Sequence, residues 1–173
     1  MKRLALLLAL VLGVAFSGTA FAEALTAQMC KDKAIAAGKL IEAEGPAALV
    51  KLKDPAGEFS FGDGAGYVWV HDSDNIMVMH PKKPDLDGKP VADMRDVNGK
   101  NFFVNMTEIA TEKGAGWVDY AWPKPGKQES SPKVSYVVQA VNGGKTYIAG
   151  VGIYDVTKAD IKAQFPNDPI DEE

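Results

Sequence analysis

The chain has one cysteine and two histidines in 173 residues. A lone cysteine cannot close an internal disulfide, so the fold must rest on its core, and Cys30 reads as a buried, inert thiol. So few histidines and cysteines leave little from which to assemble a nucleophilic triad. G-x-S-x-G, H-E-x-x-H, the P-loop and C-x-x-C-H are all missing, which removes the common signatures of hydrolases, zinc proteases, nucleotide binders and covalent haem proteins. Asp72, Asp74, Asp85 and Asp87 are candidate cation ligands, but "DSDN" and "PDLDGK" lack the remaining spacing of a calcium loop. Basic residues are also short: 19 Lys and Arg against 23 Asp and Glu give a net charge of −4. An acidic chain without a basic patch is a poor partner for nucleic acid or anionic lipid. No enzymatic activity, metal or cofactor is expected.

What is present begins with "MKRLALLLALVLGVAFSGTAFA". Lys2 and Arg3 precede an apolar run from Leu4 to Phe16, and Ala20 and Ala22 form an A-x-A cleavage site. Residues 1–22 therefore read as a signal peptide and 23–173 as a single exported, periplasmic domain. Loss of Lys2 and Arg3 takes the net charge from −4 to −6.

The mature chain divides into a helical part and a strand-rich part. Cys30, Ala34, Ala37 and Ile41 follow helical spacing within residues 24–44. Gly45-Pro46 breaks that helix, and Pro46 suits the first position of a second, short one. "GYVWVHD" and "NIMVMHP" flank Ser73-Asp74 and read as a hairpin of two central strands, apolar on both faces. A loop over residues 81–98 leads to a helix with Phe102, Met106, Ile109 and Lys113 on one side, closed by Gly114. Three strands follow, with "NGG" at 142–144 as the turn between the last two. A helix from Thr157 to Phe165 ends the fold. This describes an α+β domain: an antiparallel sheet of about five strands with helices over its faces.

"VMHPKKPDLDGKP" (Val78 to Pro90) carries one of the two histidines into the loop. His80 is either a hydrogen-bonded strand end or an N–H donor to a ligand oxygen. Strand alternation puts Tyr67, Trp69 and His71 on one face. Trp69 is the pocket candidate of the three, and His71 reads as packing. Arg95 offers a planar fork for a carboxylate, or else pairs with Asp93 and Asp96 and shapes the loop. In "GWVDYAW", Trp117 faces opposite to Tyr120 and Trp122. In "KVSY", Lys133 and Tyr136 likewise face opposite ways in a regular strand.

Taken in order, "GYVWVHD", "MVMHP" with "LDGK", "DMRDVNGKNFF", "GAGWVDYAWPKPG", "SPKVSYV" and "AGVGIYD" resemble the extracellular single Cache sensor domains of bacterial chemoreceptors and histidine kinases. The resemblance implies a PAS-like sheet with a long N-terminal helix and a pocket capped by the loop–helix segment after the second strand. It implies a small organic ligand, often a short carboxylate. The family's Lys-x-x-Tyr pattern falls on Lys133 and Tyr136. The implied site then has His80, Arg95, Tyr120, Lys133 and Tyr136 as donors and Trp69 and Trp117 as aromatic walls. Without an output module of its own, such a domain would need a membrane sensor kinase or chemoreceptor as partner, with a homodimer through the N-terminal helix as a further expectation. The alternative is an accessory subunit of a membrane sensor or redox complex, its pocket filled by its own side chains.

Overall fold

The long helix forms where the Ala- and Lys-rich segment predicts it. In the computed structural model, which describes residues 24–172, α1 spans Ala27–Glu44. The signal peptide expected over residues 1–22 lies outside the described residues. The Thr26 side chain caps α1 by accepting from the Met29 amide at 3.2 Å, which satisfies one orphan donor of the first turn. Gly45 ends it at φ +58°, where an added Cβ would stand 2.4 Å from Asn142 Oδ1. Pro46 sits in a one-turn 3-10 helix, Gly45–Ala47, and α2 follows over Ala48–Lys53. The proline therefore belongs to the bridging turn and not to the head of α2.

The sheet has six strands, one more than the sequence suggests. They are β1 (Ser60–Phe61), β2 (Gly66–Asp72), β3 (Met77–Met79), β4 (Ala115–Pro123), β5 (Ser130–Asn142) and β6 (Lys145–Tyr154). The order is β1-β2-β6-β5-β4, all antiparallel, with β3 also on β2. The second strand of the first hairpin is thus a short edge and not a central strand. Asn75 turns at φ +57°, the register shifts between Val70 and His71, and the chain leaves the sheet after Met79. Gly143 and Gly144, both at positive φ, make the two-residue turn between β5 and β6, the connection whose twist matches paired strands.

Each face of the sheet has its own core. On one side, Cys30, Ala34, Ala37 and Ile41 of α1 pack on Val134, Val138, Ala149 and Val151. On the other, α3 (Phe102–Lys113) lays Phe102, Phe103 and Met106 over Trp69, Val118, Tyr120 and Ile148. The last helix, α4 (Lys158–Gln164), carries a capping box between Thr157 and Asp160. Beyond it the chain runs beside β4: the Trp117 amide donates to Pro169 O, and the Asp171 amide to Trp117 O. Among the described residues, no helix is long and apolar enough to cross a membrane.

Candidate functional site: an aromatic box around a buried lysine

Strand alternation gathers Tyr67 and Trp69 of β2, Tyr120 and Trp122 of β4, Lys133 and Ser135 of β5, and Tyr154 of β6 under the loop and α3. Two glycines of β6 leave the floor open between them. A Cβ at Gly150 would stand 2.3 Å from the Trp69 ring, and one at Gly152 would stand 2.4 Å from Lys133 Cε. The indole therefore lies across the sheet, and the lysine arches over Gly152.

Lys133 is 1% exposed. Its Nζ donates to Tyr67 Oη at 3.0 Å. It also lies 4.6 Å from the Tyr67 ring centre, 4.7 Å from Tyr154, 5.0 Å from Trp69 and 5.9 Å from Tyr120. Among the described residues no carboxylate pairs with it. Aromatic faces attract a cation but replace a counter-ion only in part. Burial accordingly pushes the Lys133 ammonium down to about 7.

The hydroxyls around Lys133 are already committed. Tyr154 Oη donates to Pro123 O at 2.8 Å and lies 3.5 Å from Tyr67 Oη. Tyr67 thus accepts from Lys133 and donates to Tyr154. Tyr120 Oη and Ser135 Oγ share a bond at 3.0 Å. Burial, the first cause in each case, holds the phenols of Tyr67, Tyr120 and Tyr154 above their usual range. Among the described residues, the Trp69 indole N–H is buried without a partner, and Lys133 spends one donor on Tyr67.

His80 forms the roof. Its amide donates to Asp87 Oδ1 at 2.8 Å, and its Nδ1 accepts from the Lys82 and Lys83 amides at 3.2 and 3.1 Å. Its ring lies 5.4 Å from Tyr67 and is nearly parallel to Trp69 at 6.4 Å. Burial, then the charges of Lys133 and Lys83, hold the imidazole down to about 3. A neutral ring whose Nδ1 accepts must carry its proton on Nε2, so His80 is a donor of fixed tautomer. Phe102 closes one side, stacked on Tyr120 at 4.6 Å. Asp96 fastens the covering loop, accepting from the Asn98 and Lys100 amides and from Ala121 of β4.

Four of the seven residues singled out from the sequence meet here: Trp69, His80, Tyr120 and Lys133. The other three do not. Arg95 is exposed and donates to Gly99 O at 3.1 Å, closing its own turn, while Asp96 is spent on backbone amides. Trp117 and Tyr136 lie on the α1 face with rings 4.9 Å apart, because alternation points them away from Tyr120 and Lys133. Tyr67, Tyr154 and the glycine pair were missed. Their signal was present: Tyr67 shares a face with Trp69, and "GVGIY" repeats Gly, Gly and Tyr at a spacing of two. His71 packs on Phe103 and contacts Thr107 Oγ1 at 3.1 Å, outside the box.

Two of the aspartates weighed as cation ligands, Asp72 and Asp87, spend their carboxylates on backbone amides. Asp72 accepts from the Asp74 and Ile76 amides, and Asp87 holds His80. Among the described residues, no group of three or more His, Cys, Asp or Glu side chains is placed to hold a metal. A cleft of about 630 Å³ between α3 and the C-terminal segment is an open groove lined by Glu108, Glu112, Lys113 and Lys162 and by none of the box residues. Enclosure and convergent buried donors mark a small-molecule site better than volume. Three other clefts touch the box: one of about 320 Å³ at Tyr67, Pro81 and Lys82, one of about 540 Å³ at Tyr120 and Lys133, and one of about 450 Å³ at Tyr154.

Comparison with known proteins agrees with this architecture. The Cache domain profile matches residues 33–160. A solved structure described as the periplasmic sensor domain of a chemotaxis protein is 36% identical, with a TM-score of 0.65 over 75% of this chain and 94% of that one. A second, from a study of carboxylic acid recognition by a Cache chemosensory domain, is 31% identical, with a TM-score of 0.60 over 75% and 88%. Among curated proteins, the methyl-accepting chemotaxis protein McpP of Pseudomonas putida is 37% identical over 103 residues, 60% of this chain. The sensor histidine kinase MctS of Rhizobium johnstonii is 31% identical over 90 residues, 51% of this chain. The matches span only 18% and 19% of those two proteins.

Proposed function

The chain belongs to the Cache domain family, a family of sensor domains and not of enzymes, and on that footing we propose that it binds a small monocarboxylate in the box around Lys133. The observation that carries this reading is a buried amine for which the described residues supply no carboxylate, 5.0 Å from the centre of the Trp69 ring, whose buried N–H finds no acceptor among them. One carboxylate has two oxygens and satisfies both donors. A buried donor left unpaired costs about 1–3 kcal/mol, so a ligand lacking an acceptor there is rejected.

The charge count narrows the class. Lys133 is the only basic side chain enclosed among the box residues, His80 is neutral, and Arg95 faces solvent. A second carboxylate, or the ammonium of an amino acid, would enter without a counter-ion. The aromatic walls suit a short apolar tail, with Trp69 and Phe102 beside it and His80 Nε2–H as a further donor. The domain works in the periplasm after export and passes occupancy to a membrane chemoreceptor or sensor kinase, with α1 as the surface for a homodimer. The solved Cache domain studied for carboxylic acid recognition supports the ligand class.

A second reading, an accessory module whose box is filled by its own side chains, draws on the four rings already around Lys133. A thermal-shift series with acetate, propionate, butyrate, succinate and alanine separates the two. At one hundred times its dissociation constant a ligand adds about 2.7 kcal/mol of stability. The monocarboxylates should raise the transition while succinate and alanine do not. A flat response to all five favours the accessory module.

A further inference from the structure

We propose that on the alkaline side of neutrality the empty box holds Lys133 as a neutral amine, and that a carboxylate then enters together with one proton from solvent, so that under those conditions the site is electroneutral both empty and full. This deepens the carboxylate reading and rests on it.

Among the described residues, the geometry supplies no charge to balance an ammonium. Tyr67 faces Lys133 from β2, Tyr120 from β4 and Tyr154 from β6, and His80 covers it from the loop after β3. Cys30 of α1 acts on it from the other side of the sheet. None is negative near neutral pH: the three phenols are held above their usual range, burial pushes the Cys30 thiol up to about 12, and His80 is neutral. Lys83 lies over the Trp122 ring at 4.8 Å, and its charge acts on His80. An isolated charge taken out of water is relieved by losing its proton, and the amine is depressed to about 7 for that reason.

A carboxylate against Nζ reverses the balance. The anion favours the protonated amine, so the amine gains a proton as the ion pair closes. The step balances as carboxylate plus neutral amine plus one hydron giving carboxylate paired with ammonium. No covalent bond of the ligand forms or breaks.

By linkage, proton uptake must appear as a pH dependence of affinity. Below the pKa of the empty site the amine is already charged, so uptake tends to zero and affinity is flat. Above it, uptake tends to one proton and the dissociation constant rises about tenfold per pH unit. Isothermal titration of the full chain with propionate, in buffers of low and high ionisation enthalpy, reads the proton count directly. Near-zero uptake at about pH 6 and nearly one proton at about pH 8.5 are expected, with affinity weakened at least tenfold. The Lys133 Nζ resonance of the empty protein should titrate near neutral pH and move to the ordinary lysine range when propionate is added. Binding with heats independent of buffer at both pH values would overturn the inference and leave the carboxylate reading standing. A resonance that titrates as an ordinary lysine in the empty protein would do the same. Absence of propionate binding at every pH would sink both.

Discussion

On the α1 face of the sheet, Trp117 donates its indole N–H to Asp168 at 3.0 Å, and Asp168 takes the Lys31 ammonium at 2.6 and 2.7 Å. On the opposite face, among the described residues, the Trp69 indole N–H has no partner, and Lys133 has a phenol and four rings but no carboxylate. Each face thus carries a tryptophan and a lysine, and only one supplies the acid that joins them. Where the fold uses such a pair for its own cohesion, it provides all three members. Where the acid is missing and the donors are buried, the natural reading is that the third member comes from outside. The degree of burial agrees: the side chains of Lys31 and Asp168 keep 21% and 17% exposure, whereas Lys133 is sealed at 1%.

The largest effect should come from breaking the incomplete face. Lys133→Met keeps the length of the side chain and removes the charge. Losing one partner of a buried charge pair costs about 2–5 kcal/mol, so propionate affinity should fall at least about thirtyfold by calorimetry. The empty variant should nevertheless be more stable than the parent, because a desolvated amine is replaced by an apolar group of similar volume. The sign with pH follows from linkage. The Lys133 pKa is depressed from 10.5 to about 7 on folding, so between those values the unfolded chain binds more protons and stability rises with pH. That rise should be absent in Lys133→Met. Loss of stability at neutral pH with affinity intact would count against the comparison.

The complete face should respond in the opposite sense. Asp168→Ala leaves the Trp117 N–H and the Lys31 ammonium without their acceptor and unfastens the segment beside β4. Destabilisation of about 2–3 kcal/mol in urea unfolding is expected, with propionate affinity unchanged in the folded fraction. A matching loss of affinity would show that the two faces are coupled through the sheet.

How much of this could be read beforehand depends on which strands are neighbours. Alternation within a strand is local, and it already set Trp117 against Tyr120 and Lys133 against Tyr136. The Lys-x-x-Tyr resemblance drew Tyr136 into the site against that rule, and the rule prevailed. Hairpins between consecutive strands were also legible, above all Asn142 to Lys145. The pairing of β2 with β6 was not, since these strands are far apart in the chain. Without it there is no reason to set Gly150 beneath Trp69, or to let Tyr67 and Tyr154 meet. The short β3 was over-read for a related cause: "NIMVMHP" is apolar enough for a central strand, but its last residues leave the sheet to build the roof at His80.

Gly152 tests that hidden pairing with a smaller effect. A methyl group there would stand 2.2 Å from Ser135 Oγ, 2.4 Å from Lys133 Cε and 3.2 Å from Val134 O. The last is backbone and cannot swing aside. Gly152→Ala should cost about 1–2 kcal/mol through overpacking, and it should weaken propionate binding by displacing Nζ from its place beside the Trp69 ring. An alanine tolerated on both counts would mean that Lys133 takes another path and that the box is built differently.

The smallest effect is expected at Arg95, the residue whose chemistry suits a carboxylate best. Its guanidinium is exposed and bonded to Gly99 O within its own turn, and exposed contacts of that kind are worth little. The loop does not depend on it, because Asp96 holds Asn98, Lys100 and Ala121 through its carboxylate. Arg95→Ala should therefore change stability by less than about 0.5 kcal/mol and leave propionate affinity within about twofold, roughly 0.4 kcal/mol. A large loss of affinity would mean that the loop folds over the box when ligand enters and that Arg95 supplies a second charge. The ligand class would then widen to dicarboxylates, and succinate, expected to be inert in the thermal-shift series, would become the probe of choice.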